Sequence, residues 1–201
     1  MKKLLLLTAF MFISFISFSQ DIKVEVGLGA SRYRGDFDGD FKFAWQTGVG
    51  YEIPLSGPIS IMPSLYIAKK GSKGNFSNTI EYTKVNSNAY YFEHDAMALY
   101  RIVLPEAKIN IVPQLGLYFA YGFSGKTKIS EGDTMEFFSE KVDTFSHDNL
   151  KESDFGLAFK VDLEWYDYTF GIKYGLGLKD LAHQGGSVKN STILFTAGIR
   201  F

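Results

Sequence analysis

Residues 168–179, YTFGIKYGLGLK, alternate strictly. Tyr168, Phe170, Ile172, Tyr174, Leu176 and Leu178 hold one phase, and Thr169, Gly171, Lys173, Gly175, Gly177 and Lys179 the other. Successive strand side chains point to opposite faces, so this stretch predicts a strand with one apolar face and one small or charged face. A helix would set Phe170 and Lys173 on the same side, against any amphipathic logic. The same period recurs over 22–33, 41–53, 59–70, 90–104, 109–123, 154–165 and 192–201. The pattern therefore predicts eight strands, each of roughly ten residues or more. Crossing a hydrocarbon core at barrel tilt takes about 9 to 11 residues per strand, whereas ordinary sheet strands average about 5 to 6.

The predicted connections alternate in length. Short ones fall at 54–58, 105–107 and 166–167, and longer ones at 34–40, 71–89, 125–153 and 180–191. Outer-membrane barrels combine short periplasmic turns with longer outside loops. The expected fold is all-β, an eight-stranded antiparallel transmembrane β-barrel over 21–201.

Two closures satisfy this pattern. A soluble barrel puts the apolar phase inside; a membrane barrel turns it toward lipid. The polar phase holds Lys23, Lys42, Lys70, Arg101, Lys160, Lys173, Lys179 and Arg200 with Glu25, Glu52, Glu93, Asp95, Asp154, Asp162 and Glu164. These near-equal charges can pair in a narrow lumen. Many glycines share that phase, as the tight interior of an eight-stranded barrel requires, whereas on a solvated sheet they would only weaken strands. Aromatic residues of the apolar phase gather near strand ends: Tyr51, Tyr100, Trp165, Tyr168 and Phe201 on the turn side, and Tyr33, Tyr121 and Phe123 on the loop side. They match the two interfacial girdles of a membrane barrel. The membrane closure is the expected one.

The first twenty residues read as an address. Lys2 and Lys3 precede an apolar run from Leu4 to Phe18, and Ser19 and Gln20 give a small, polar exit. That is the layout of a signal peptide, 1–20, and the run is too short to span a bilayer. Removing two lysines leaves 19 basic residues against 22 acidic ones, a net charge of −3. No broad basic face for nucleic acid is expected. The absence of cysteine excludes a disulfide framework, a thiolate metal site and a cysteine nucleophile. Phe201 closes the last predicted strand as an outward aromatic, and is expected to act as a C-terminal signal to the outer-membrane barrel assembly machinery.

Four segments carry a family resemblance: FSQ at 18–20, DFGLAF at 154–159, YGLGLKDL at 174–181 and KNSTILFTAGIRF at 189–201. With these the chain resembles the PorT-like, or porin-family, outer-membrane β-barrel proteins of Bacteroidetes. The resemblance implies an eight-stranded barrel in the outer membrane. Most members have no assigned activity, and the founding branch belongs to type IX secretion. The matching motifs are patterns of strands and turns, not catalytic fingerprints.

Little else points to chemistry. Ser146, His147 and Asp148 are consecutive, but a nucleophilic triad is defined by geometry and not adjacency. His94 reads as an interfacial side chain near the loop-side rim, and His183 as a loop residue. Glu131, Asp133, Glu136, Glu140 and Asp143 form an acidic stretch without the EF-hand pattern, and read as solvated loop. No catalytic, cofactor or metal residue is assigned. The assigned site is a lumen charge network of Lys42, Glu52, Arg101, Lys160, Asp162, Glu164, Lys173 and Arg200, read as an ion-paired plug. The expected function is a non-enzymatic integral protein of the outer membrane of a Gram-negative bacterium, for envelope structure or loop-mediated binding. The expected partners are outer-membrane lipid and an unidentified protein at the outside loops. The alternatives are a small porin or transporter, and an accessory component of a type IX-like secretion system.

Overall fold

A computed structural model describes residues 22–36, 39–77, 82–132, 137–145, 150–183 and 186–201. The proposed signal peptide, 1–20, lies outside these described residues. Eleven strands form one antiparallel sheet: β1 (Ile22–Gly35), β2 (Lys42–Tyr51), β3 (Ile53–Ser56), β4 (Ile59–Ser77), β5 (Tyr82–Tyr100), β6 (Ile102–Leu104), β7 (Ile109–Gly132), β8 (Phe137–Asp143), β9 (Ser153–Trp165), β10 (Tyr168–Gly177) and β11 (Val188–Arg200). β1 pairs with both β2 and β11, which closes the sheet into a ring. β3 continues β2 past Glu52, and β6 continues β5 past Arg101. With β8 outside the ring, eight staves remain, each beside its neighbours in sequence. This is the up-and-down barrel that the alternation predicts.

The faces are the membrane set. Val26, Leu65, Phe92, Leu117, Val161 and Phe170 are exposed on the outside, while Lys23, Glu25, Glu93, Asp95, Lys160 and Lys173 are buried inside. A soluble protein would carry the opposite arrangement. Glycine makes the crowded interior possible at Gly171, where a Cβ would stand 2.0 Å from Asp162 Oδ1.

Four sequence expectations are corrected. β4 and β5 continue their ladder out to Ser77 and Tyr82, so most of the predicted loop 71–89 is a hairpin. β7 runs to Gly132 and pairs with β8, so the predicted loop 125–153 contains a second hairpin. Together β4, β5, β7 and β8 form a four-stranded blade beyond the barrel end. Its inward face is closed by small and polar side chains, with Ser72, Ser87 and Thr127 buried, so no apolar alternation marks it. Third, the last stave starts at Val188 rather than 192. Fourth, Tyr33 does not belong to the outer girdle. It sits on the odd, inward phase of β1, is 3% exposed, and shares a hydrogen bond with Ser87 Oγ at 3.2 Å.

The other girdle residues do face outward. Trp165 and Tyr168 pack at 6.4 Å on the turn side, and Phe92 and Phe123 at 4.4 Å on the loop side.

Candidate functional site

The lumen is filled in tiers, beginning at the turn end. The two breaks in the staves, Glu52 and Arg101, meet there: Arg101 donates to Glu52 at 2.9 Å and to Glu164 at 2.9 Å. Arg200 adds contacts of 3.1 Å to Glu52 and 2.8 Å to Glu164. Two guanidiniums and two carboxylates thus form a closed ring, held by the fork geometry that arginine supplies.

Above it, Lys23 bridges Glu25 at 2.7 Å and Asp162 at 2.6 Å. Lys160 contacts Glu25 and also reaches Asp162 at 3.1 Å. Gln114 donates to Asp162 Oδ2 at 2.7 Å. A third tier centres on Lys173, which contacts Asp95 at 2.6 Å, Glu93 at 2.9 Å and Gln46 Oε1 at 3.1 Å. Lys70 takes the second oxygen of Glu93 at 2.5 Å and lies 4.4 Å from the Tyr118 ring centre. Asp154 is the exception among the acids. It accepts from Tyr118 at 3.0 Å and Asn190 at 2.8 Å, both neutral donors.

Of the eight assigned network residues, Glu52, Arg101, Glu164 and Arg200 pair in the first tier, Lys160 and Asp162 in the second, and Lys173 stands in the third with Asp95 and Glu93, which lie outside the assigned set. Lys42 joins none of the tiers. It sits at the outer end of β2 and bonds Asn86 Oδ1 and the Ser87 carbonyl at 2.8 Å, away from the carboxylates. Lys179 also leaves the lumen, donating to Ser153 Oγ at 2.5 Å. Lys23, Glu25, Lys70, Glu93 and Asp95 share the same inward phase and are equal members. Sequence reasoning missed the apolar packing beside them. Met62, Met97, Leu99 and Val112 are buried inside the barrel, on the phase read as polar.

The outer mouth is also closed. Phe145 packs edge-on against Tyr91 at 5.4 Å, and Thr144 bonds Thr127 at 3.0 Å and the Asn88 carbonyl at 2.9 Å. Leu181 is fully buried beneath the last loop. Within the lumen, beside Lys173 and Glu93, a cavity of about 10 Å³ remains, on the order of one water.

Outside, a cleft of about 380 Å³ is lined by Tyr121, Phe145, Leu150, Lys151, Glu152, Ser153 and His183. Next to it, the N–H groups of Val188 and Ala182 hold the Asp180 carboxyl below its ordinary range.

The remaining sequence candidates scatter. His94 faces outward on β5 between Leu65 and Phe119, its Nδ1 3.0 Å from the Ser64 carbonyl. Ser146, His147 and Asp148 lie outside the described residues, as do Asp133, Glu136 and the side chain of Glu131. Glu140 and Asp143 stand on the exposed strand β8, where Asp143 accepts from Lys126 at 2.5 Å.

The model of the outer membrane protein beta-barrel domain family matches residues 18–183. The chain belongs to this family. Among solved structures, a Neisserial surface protein A barrel matches with 12% identity, a TM-score of 0.51, and coverage of 90% of this chain and 97% of that one. Ail, the attachment invasion locus protein of Yersinia pestis, matches at 16% identity and a TM-score of 0.43, covering 92% of this chain and 100% of the other. Identities this low speak to fold alone. A comparison with curated proteins finds no match. Family and fold together place the protein in the outer membrane of Gram-negative bacteria.

Proposed function

We propose that the protein is a non-enzymatic binding protein of the cell surface, with a sealed barrel as anchor and the β4–β5–β7–β8 blade as its partner surface. The observation that carries this is the blade itself. β4 and β5 keep an unbroken ladder of backbone pairs from the barrel to Ser77 and Tyr82, and β7 extends it to Gly132 against β8. A structure built that far beyond the lipid adds nothing to anchoring. It holds a rigid sheet with one solvated face at the cell surface, where a protein partner can dock.

The packed lumen argues against the porin reading. Ions would have to break three tiers of buried pairs and displace the lid of Thr144, Phe145 and Leu181. Phe201 supports the proposed reading by the assembly machinery: its side chain is exposed, and its N–H bonds the Ile22 carbonyl at 2.9 Å.

The test compares wild-type cells with a variant in which 125–143 is replaced by a short turn. The trimmed barrel is expected to assemble, shown by its mobility shift on boiling, yet lose adhesion to host-cell or sibling-cell surfaces. Unchanged adhesion would refute the blade as the partner surface. Channel activity of the wild-type protein in planar bilayers would favour a porin. Loss of protein export on gene deletion would favour the secretion role that the PorT-like resemblance implies.

A further inference from the structure

The outward face changes character at the outer end of four neighbouring staves. On β11, β1, β2 and β4 the lipid-facing positions are apolar, Thr47 apart, up to Ile193, Ala30, Phe43 and Ile67. Beyond them the same phase turns basic, with Lys189 on β11, Arg32 and Arg34 on β1, and Lys69 and Lys73 on β4. The ladder brings these cations together. Arg34 stands directly opposite Lys189, and Lys69 opposite Trp45. The Arg32 guanidinium lies 4.9 Å from the centre of the Phe41 ring. Lys69 and Lys73 are both near enough to repel the Lys42 ammonium.

Like charges directly opposite on a ladder destabilise it. Elsewhere at this end the molecule neutralises its charges, as between Lys126 and Asp143. Here the cations outnumber the acids: Asp40 stands opposite Lys73 and Asp180 lies near enough to Lys189 to feel its charge, but among the described residues no ion pair joins Arg34, Lys69 or Lys189 to a carboxylate. The nearby Asp36 is engaged by the Ser187 N–H at 2.7 Å. The arrangement calls for an external anion. Its height identifies which one. Arg34, Lys69 and Lys189 stand on the outward phase just past the last apolar positions, in the sector that also exposes the Phe41 and Phe43 rings. A phosphate on an outer-leaflet lipid lies at that depth and faces the barrel wall, with sugar and acyl base to cover the rings.

We propose that this sector binds the phosphate groups of an outer-leaflet glycolipid through Arg34, Lys69 and Lys189, seated over Phe41, Phe43 and Trp45. The site fixes the rotation of the barrel among its lipids. It lies on the side of the ring away from β7 and β8, so a lipid held there leaves the outer strand of the blade open.

The experiment titrates the full chain in detergent micelles with three probes: lipid A carrying two phosphates, the same lipid dephosphorylated, and inorganic pyrophosphate. Trp45 fluorescence, read in a Trp165→Phe background, and native mass spectrometry report binding. The triple variant Arg34→Gln, Lys69→Gln, Lys189→Gln is expected to bind phosphorylated lipid A roughly a hundredfold more weakly. A Lys126→Gln, Lys128→Gln variant on the far sector is expected to match wild type. Heat-modifiable mobility checks that each variant folds. Equal binding of dephosphorylated lipid A by the wild type would overturn the proposal, and this arm needs no variant. So would wild-type affinity in the triple variant, or pyrophosphate binding as tightly as the lipid.

Discussion

Lys173→Met tests the lumen network where the balance of charge is most exposed to a single change. The ammonium holds Asp95 at 2.6 Å and Glu93 at 2.9 Å, and is itself 4% exposed. Glu93 keeps Lys70 at 2.5 Å when Lys173 is lost. Asp95 keeps no other cation within ion-pair distance among the described residues. The change therefore leaves one buried, uncompensated carboxylate, a cost of about 3 to 5 kcal/mol. That is a large share of a stability on the order of 5 to 15 kcal/mol. Adding Asp95→Asn removes the orphaned charge and is expected to restore all but about 1 kcal/mol, the net worth of an ordinary hydrogen bond. The assay is urea unfolding in phospholipid vesicles, read by the fraction of fast-migrating folded band on an unboiled gel. At a slope of about 1 to 3 kcal/mol/M the single variant should lower the midpoint by at least about 1 M. A single variant within about 0.3 M of wild type would refute the reasoning. A double variant no better than the single would do the same, since the two changes must couple if the carboxylate is what hurts.

Further outcomes follow from the same geometry. Arg101→Lys cannot bridge Glu52 and Glu164 together, and should cost about 1.5 to 3 kcal/mol in the same unfolding assay. Gly156→Val places a Cβ 2.2 Å from the Leu176 carbonyl and 2.5 Å from the Tyr118 ring, and should abolish the heat-modifiable band altogether. Gly57→Ala meets open space but a φ of +56°, and should cost only about 1 to 2 kcal/mol. The depressed Asp180 carboxyl contributes to closure of the last loop at pH above its ordinary value of 3.8, and that contribution is lost as pH falls through the lower folded value. Protection of the Val188 and Ala182 amides against hydrogen exchange should accordingly fall below about pH 4, and be low at every pH in Asp180→Ala.

What the sequence conveyed well was the part of the chain that lipid touches. Between Tyr168 and Gly177 a bilayer on one side and a packed lumen on the other impose opposite chemistry on adjacent residues, so the alternation is strict and the register plain. The blade escaped because that contrast stops where lipid stops: 71–77 and 82–89 carry polar residues on both faces, yet the backbone ladder continues. Tyr33 was misread because a single tyrosine near a strand end suits a girdle or a lumen equally, and only its odd phase on β1 separates the two. Lys42 and Lys179 share the lumen phase but sit at stave ends, where a long side chain can turn to a neighbouring carbonyl or hydroxyl. The buried Met62, Met97, Leu99 and Val112 were invisible to a rule that equates apolar with lipid-facing. The partners within each tier were beyond reach, because Lys23 meets Asp162 only once the ring has closed.

The central claim is that lipid surrounds the apolar phase while the blade stands clear of the membrane. The chain contains no cysteine, so single cysteines can be introduced without background. Bimane would be attached at Leu117, Val161 and Ile172 on the belt, and at Lys128 and Lys141 on the blade, in vesicles with brominated acyl chains. The account predicts strong quenching at the three belt positions and none at the two blade positions, which on intact cells should also react with an impermeant maleimide. Quenching on the blade, or impermeant labelling on the belt, would contradict it.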